Sequence, residues 1–169
     1  MNKRFIFSLA LLGSTAFADL NGGPSKPVSA AQIKPETLAT VKKVKPVTLN
    51  KGGNAIVTLE VEVAKNFHVQ ANPASQPNLI PTTLTMESLP GIKVGTPEYP
   101  KGESYKLAGT PTEVMAYGGT FKIKFSLEAE PTASSGKLTL NGKLRYQACN
   151  EKTCFFPVNA AVSIPVTVK

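Results

Sequence analysis

The chain has 169 residues, of which 41% are hydrophobic and 18% charged, and it carries 14 prolines and a formal net charge of +8. This length suits one domain with a buried core, which excludes a multidomain enzyme and a polytopic membrane protein, and the many prolines disfavour a helical bundle. The basic residues are scattered and almost all are lysines, whereas base readout relies on arginine, so we expect a cationic surface and no nucleic-acid partner.

The N-terminus has the pattern of a secretory signal peptide. Lys3 and Arg4 precede an apolar run at 5–12, and Ala-Phe-Ala at 16–18 is the small-x-small pattern that signal peptidase cuts. The run is much shorter than the roughly 20 residues that a membrane-spanning helix needs. We therefore predict a signal peptide over 1–18 and export to the periplasm of a protein with no transmembrane segment of its own.

Strand signals begin after a segment without periodicity. Residues 19–39 are rich in small residues, proline and lysine, which predicts a flexible leader before a single folded domain over 40–169. Residues 43–49 are a plausible first strand, and Asn-Lys-Gly-Gly at 50–53 is a turn. Polar and apolar residues then alternate over 54–63, which predicts a half-buried strand.

The same alternation predicts five further strands, over 80–86, 92–94, 121–129, 138–148 and 158–168. Pro165 falls on the outward-facing parity of the last strand, which suits a sheet edge. About seven to nine short strands separated by turns predict an all-β fold, an immunoglobulin-like β-sandwich, with an up-and-down barrel as the alternative. Two long irregular segments, 70–78 and 100–113, are predicted loops, where function is often located.

The reactive residues that stand out are Cys149 and Cys154, separated by Asn-Glu-Lys-Thr. The single histidine, His68, lacks metal-binding neighbours and is interpreted as structural, so no metal site is expected. Two cysteines in an exported protein are usually oxidised to a disulfide. In the chain-entropy treatment a bridge that closes so short a loop stabilises by only about 2 kcal/mol, against about 4 kcal/mol for a loop of about sixty residues. The pair is therefore a poor choice for stability alone.

Strand parity bears on whether the pair is reactive. The apolar residues of 138–148 have even numbers, so a regular strand places Cys149 on the outward face, where it is open to exchange. A bulge at 147–148 would reverse that orientation. The residues by themselves leave redox exchange and a structural bridge equally open.

The cysteines lie in a longer motif, in which Tyr146 and Gln147 precede Cys149 and Pro157 follows Cys154. This motif resembles that of the N-terminal periplasmic domain of the thiol:disulfide interchange protein DsbD. The resemblance covers residues 41–168 and implies the same immunoglobulin-like fold. Further segments match the family in order: Phe-His-Val at 67–69, Leu-Ile-Pro-Thr at 79–82, Gly-Ile-Lys-Val at 91–94 and Tyr-Pro at 99–100.

The resemblance implies a redox shuttle in which Cys149 and Cys154 cycle between dithiol and disulfide without another cofactor. Thioredoxin-like domains would supply the electrons, and exported thioredoxin-like or disulfide-containing proteins would accept them. The sequence does not decide which sulfur attacks, and our choice is Cys154. The resemblance also implies a cap loop within 102–107, with Glu103 and Tyr105 as shielding candidates, although Ser-Tyr stands where an aromatic pair is more typical.

Full-length members of that family also carry a multi-helix membrane domain and a thioredoxin-like domain, and this sequence ends at Lys169 with neither. We therefore expect a standalone, monomeric protein that receives electrons from a separate protein. The alternative hypothesis is an exported β-sandwich binding module with a structural disulfide. Its recognition surface would be the two predicted loops, and it need not be an enzyme.

Overall fold

The structure is a computed structural model that describes residues 33–106 and 113–169. The predicted signal peptide and residues 19–32 of the predicted leader lie outside the described residues. The described part contains one 3-10 helix and twelve strands, numbered in chain order. The helix is Pro35–Thr37, and the strands are β1 (Ala39–Val41), β2 (Val47–Leu49), β3 (Asn54–Val63), β4 (His68–Gln70), β5 (Thr83–Met86), β6 (Ile92–Val94), β7 (Glu103–Lys106), β8 (Glu113–Tyr117), β9 (Thr120–Ala129), β10 (Gly136–Tyr146), β11 (Ala148–Cys149) and β12 (Val158–Val168).

The strands form three four-stranded sheets, in the orders β1-β3-β9-β6, β2-β12-β10-β5 and β11-β4-β8-β7. Neighbouring strands are antiparallel except β2 and β12, which run parallel. The fold is an all-β, immunoglobulin-like β-sandwich, which confirms the predicted fold class. Twelve strands exceed the predicted seven to nine, because strands of two to four residues are too short to show alternation.

Two long strand pairs supply the frame, β3 with β9 and β10 with β12. Alternate side chains of a strand point to one face, so the apolar positions of both pairs converge on one core. Burying each side chain of this size stabilises the fold by about 1.5–3 kcal/mol. The core side chains that are at most 2% exposed include Val57, Leu59, Val61, Ile123, Phe125, Leu127, Leu140, Leu144 and Ile164.

Proline moves the start of two strands from the predicted residue. The strand predicted over 43–49 begins at Val47, because Pro46 has no N–H for a ladder and the lysines before it are exposed. The strand predicted over 80–86 begins at Thr83, two residues after Pro81. Pro165 is exposed, as its predicted outward parity requires, but β12 is not an edge strand, because it lies between β2 and β10. Pro165 pairs with β10, and the pairing of β2 with β12 begins at the next residue, Val166.

The predicted loop at 100–113 contains β7, which pairs with β8 from Glu103 to Lys106. Residues 107–112 of that loop lie outside the described residues. The other predicted loop contains no strand after Gln70, the last residue of β4. Part of the predicted loop at 100–113 is therefore a strand of the third sheet.

The folded part begins before residue 40. The 3-10 helix lies inside the predicted leader and β1 begins at its last residue, Ala39, while Leu38 and Ala39 are 5% and 1% exposed. Tyr146 explains their position, because its hydroxyl donates to the Pro35 carbonyl and accepts from the Ala39 N–H. Within the described ranges, no helix has the length and apolar character to cross a bilayer.

Candidate functional site

The candidate site is the disulfide between Cys149 and Cys154, and Cys149 lies in β11, an edge strand of the third sheet. The Cα atoms of the two cysteines are 4.0 Å apart, and the S–S distance is 2.06 Å. The four residues between them form a tight turn, in which the Asn150 side-chain oxygen accepts the N–H groups of Lys152 and Thr153. The Asn150 N–H donates in turn to the Thr153 carbonyl, so three backbone N–H groups of the turn are bonded within it.

The two cysteines differ in exposure, since Cys149 is 0% exposed and Cys154 is partly exposed. The regular strand that would turn Cys149 towards solvent is not formed, and the structure instead contains the alternative, an irregularity at 147–148 that reverses this orientation. The reason is a break at Gln147. The chain leaves its pairing with β12 at Tyr146 and pairs with β4 from Ala148, where both Ala148 and Cys149 become buried. Cys154 is therefore the more accessible of the two cysteines.

Apolar side chains pack around the bridge, and we call this cluster the cysteine pocket. Leu79 and Val114 are buried against Cys149, and Ala74, Tyr105 and Cys154 pack on them. One polar contact crosses this pocket, because Gln70 Nε2 donates to Cys149 Sγ at 3.3 Å. Gln70 is itself 1% exposed. The Gln70 side-chain amide is thus the group that donates a hydrogen bond to the buried sulfur.

His68 is the cross-strand partner of Cys149. Its ring is stacked on Tyr105, with 3.8 Å between the ring centroids and 27° between the planes. Burial lowers the pKa of His68 below its ordinary value, although the carboxylates of Glu103 and Glu151 act in the opposite direction. The sequence-based interpretation of His68 as structural missed that it lies beside the disulfide.

The two shielding candidates are on β7, with different surroundings. Tyr105 is partly buried between His68 and the cysteine pocket, and burial raises the pKa of its phenol, with Glu151 acting in the same direction. Glu103 is exposed, close enough to His68 to influence its titration. The structure thus brings Tyr105 to the disulfide and leaves Glu103 at the rim.

The remaining motif residues hold the chain on either side of the bridge. Tyr146 is fully buried in the main core, and Gln147 accepts from the Ile80 N–H and donates to the Phe155 carbonyl. Pro157 is partly exposed, just before β12. The hydrogen bonds that the Tyr146 and Gln147 side chains make with other described residues go to backbone groups, not to the sulfurs. Their position indicates a scaffold for the turn rather than direct chemistry.

The sequence model of one protein family, described as the thiol:disulfide interchange protein DsbD, N-terminal, matches residues 35–165. The chain belongs to this family. No curated protein sequence matches the chain significantly. The family match begins at the 3-10 helix and ends within β12, and so includes the whole site.

Two solved structures are similar to this DsbD N-terminal family member. The N-terminal periplasmic domain of ScsB from Proteus mirabilis is 16% identical with a TM-score of 0.49, over 75% of this chain and 44% of that chain. The N-terminal domain of Neisseria meningitidis DsbD in the reduced form is 17% identical with a TM-score of 0.47, over 80% of this chain and 91% of that chain. The chain thus spans less than half of the ScsB chain.

Sequence reasoning missed Gln70 as a contact of Cys149. Gln70 directly follows the Phe-His-Val segment that supports the resemblance to the DsbD family, and it was placed at the start of a loop. A glutamine next to apolar residues of a buried strand is the signal that could have identified it. Among residues 33–106 and 113–169, no group of three or more histidine, cysteine or acidic side chains is placed to hold a metal ion.

Proposed function

We propose that this protein is an exported thiol–disulfide exchange protein that transfers two electrons at a time through Cys149 and Cys154. The contrast between the two sulfurs supports this, since Cys149 is fully buried and Cys154 is partly exposed. Exchange proceeds by attack of a thiolate on one sulfur of a disulfide, which requires access to that sulfur. Membership of the DsbD N-terminal family agrees with this chemistry.

In the direction that reduces a partner, the Cys154 thiolate attacks one sulfur of the partner's disulfide. The partner's other sulfur leaves as a thiolate, and a mixed disulfide joins Cys154 to the partner. The Cys149 thiolate then attacks Cys154 Sγ, which restores the internal bridge and releases the partner's second thiolate. Two electrons have passed to the partner, whose thiolates take up the two protons that the cysteines released. A donor dithiol recharges the pair by the reverse steps.

Tyr105 is the proposed cover of this site, together with His68, on which it stacks. Its ring packs against the same apolar side chains as the two cysteines, so it limits the access of small thiols to the buried Cys149. Glu103 is exposed on the same strand and would meet the partner's surface. A docking protein would therefore meet Tyr105 beside the partly exposed Cys154.

We infer that thioredoxin-like domains are the partners, both as electron donor and as electron acceptor. We also infer that the protein acts as a monomer in the periplasm, after its signal peptide has been cleaved behind Ala18. A dithiol partner suits this reaction because one molecule supplies both electrons and both protons and ends with an internal disulfide of its own. The signal-peptide pattern supports export, and an oxidising compartment agrees with a disulfide.

The test is the reduction potential of the pair, measured by equilibrating the protein in glutathione buffers and trapping free thiols. We expect a value between roughly −120 and −270 mV, the range of dedicated exchange proteins, with a dithiol form that remains folded. Structural disulfides have potentials below about −300 mV. A potential in that lower range together with an unfolded dithiol form would instead favour the binding module with a structural bridge.

The assignment of Cys154 as the attacking sulfur has its own test. Cys149→Ala leaves the partly exposed Cys154, and Cys154→Ala leaves the fully buried Cys149. We expect the first variant to form a mixed disulfide with oxidised glutathione at least about tenfold faster, because reactivity requires access. Both variants unfolded in urea serve as controls and should react at similar rates. Equal rates in the folded proteins, or a faster Cys149, would contradict the assignment.

A further inference from the structure

Three buried polar atoms lack a hydrogen-bond partner among the described residues, namely His68 Nδ1, Gln70 Oε1 and Tyr105 OH. All three belong to the surroundings of the disulfide. His68 is the cross-strand neighbour of Cys149, Tyr105 packs on the cysteine pocket, and Gln70 touches Cys149 Sγ. Buried polar atoms in proteins are nearly always paired, so such a concentration at one site calls for an explanation.

Gln70 is the most firmly held of the three. The backbone carbonyl of Gln70 accepts from both the hydroxyl and the N–H of Thr82, at 2.6 and 3.2 Å. The backbone N–H of Gln70 donates to the Gln147 backbone carbonyl at 3.4 Å. The side chain is 1% exposed, and its Nε2 lies 3.3 Å from Cys149 Sγ. Both the donor and the unpaired acceptor belong to one amide, whose terminal torsion is broad and roughly two-fold. The amide can therefore present either atom to the sulfur.

We propose that Gln70 is a positioning residue that hydrogen-bonds Cys149 in both redox states and favours the dithiol, an inference that rests on the proposed function. In the disulfide, Cys149 carries no proton, so only Nε2–H can bond to its sulfur and Oε1 remains unpaired. A partner's dithiol supplies two electrons and two protons and becomes a disulfide, while Cys149 and Cys154 each gain an S–H. The new Cys149 S–H donates to Oε1.

The reduced state thereby exchanges the weak Nε2–H contact with a disulfide sulfur for an S–H to Oε1 hydrogen bond, which the oxidised state cannot form. When Cys149 ionises to resolve a mixed disulfide, Nε2–H donates to the thiolate, which is a stronger acceptor than a disulfide sulfur. Both contacts stabilise the reduced pair relative to the bridge. An apolar side chain of similar length removes them, and it also removes the unpaired carbonyl from the oxidised protein.

The test is the equilibrium of Gln70→Met with dithiothreitol, in which the pair can be reduced whatever the wild-type potential. We expect the equilibrium constant for reduction to fall about tenfold, a potential lower by roughly 30 mV for this two-electron couple. Gln70→Leu is a second variant and should shift the equilibrium in the same direction. The melting temperature should fall for the dithiol form and stay constant or rise for the disulfide form, whereas a purely structural role would lower both.

Thr82→Val is the matched control, because it removes the hydroxyl bond to the Gln70 backbone and leaves the amide in place. We expect it to lower the stability of both redox forms and to leave the equilibrium constant within about twofold of wild type. Gln70 variants within that same limit, or an equal shift in the control, would overturn the inference. A wild-type potential out of reach of glutathione would instead overturn the proposed function, so the two failures are distinguishable.

Discussion

His68 lies across the strand pair from the buried Cys149, and two carboxylates influence the pKa of its imidazole. Cys149 is its cross-strand partner, and Glu103 and Glu151 raise its pKa while the larger effect of burial lowers it. A lowered pKa keeps the ring neutral near pH 7, so it does not place a positive charge beside the cysteines. A neutral ring can stack on Tyr105 without the cost of burying an ion.

This balance predicts that stability depends on pH. The pKa of His68 is about 6.5 in the unfolded chain and lower in the folded protein, so the unfolded chain binds the extra proton first. The free energy of unfolding therefore falls as the pH drops from about 7.5 through 6.5, with a slope below about 1.4 kcal/mol per pH unit for this one group. Urea unfolding of the oxidised protein at several pH values measures it.

His68→Phe is the control for this prediction, because phenylalanine retains a ring to stack on Tyr105 and does not titrate. Other titrating groups are common to both proteins, so the difference between the two pH profiles isolates the histidine. We expect the variant to lose less stability between pH 7.5 and 5.5 than the wild type does. Identical profiles would show that His68 does not link protonation to folding.

At the scale of elements, the alternation of β10 predicts its inward side chains correctly as far as Tyr146. The sequence left the orientation of Cys149 open between a regular strand and a bulge at 147–148. The outcome depends on the chain leaving β12 and pairing with β4, whose last residue, Gln70, precedes Cys149 by 79 residues. Local periodicity carries no information about such a change of partner. The buried sulfur is therefore a consequence of tertiary pairing rather than of local sequence.

The short strand β7 was hidden for a different reason. Of its four residues only Tyr105 is even partly buried, so no alternation marks it, and its pairing with β8 uses backbone groups. The resemblance to the DsbD family nevertheless pointed to this segment, where periodicity predicted only a loop. Family resemblance identifies which segment lies over the site, while the structure places Tyr105 on His68 and in the cysteine pocket.

At the scale of the whole molecule, the long strands and their core follow from the sequence, whereas the boundary of the domain does not. Residues 19–39 have a composition typical of a tether, yet Leu38 and Ala39 are buried. Part of this segment is held by Tyr146, more than 100 residues away, whose hydroxyl donates to the Pro35 carbonyl and accepts from the Ala39 N–H, while Ala39 also pairs with Val63 of β3. A composition window cannot detect a segment that is held by so distant a residue.

The boundary can be tested with two truncated proteins, one beginning at Ile33 and one beginning at Lys42. The first retains the 3-10 helix and β1, while the second loses them together with the buried Leu38. We expect the second to be less stable by about 3 kcal/mol or more, because it loses a buried leucine worth about 1.5–3 kcal/mol and leaves the Tyr146 hydroxyl without its two partners. Urea unfolding of both oxidised proteins measures the difference. Equal stabilities would return residues 33–39 to the flexible leader and place the start of the folded domain at residue 40.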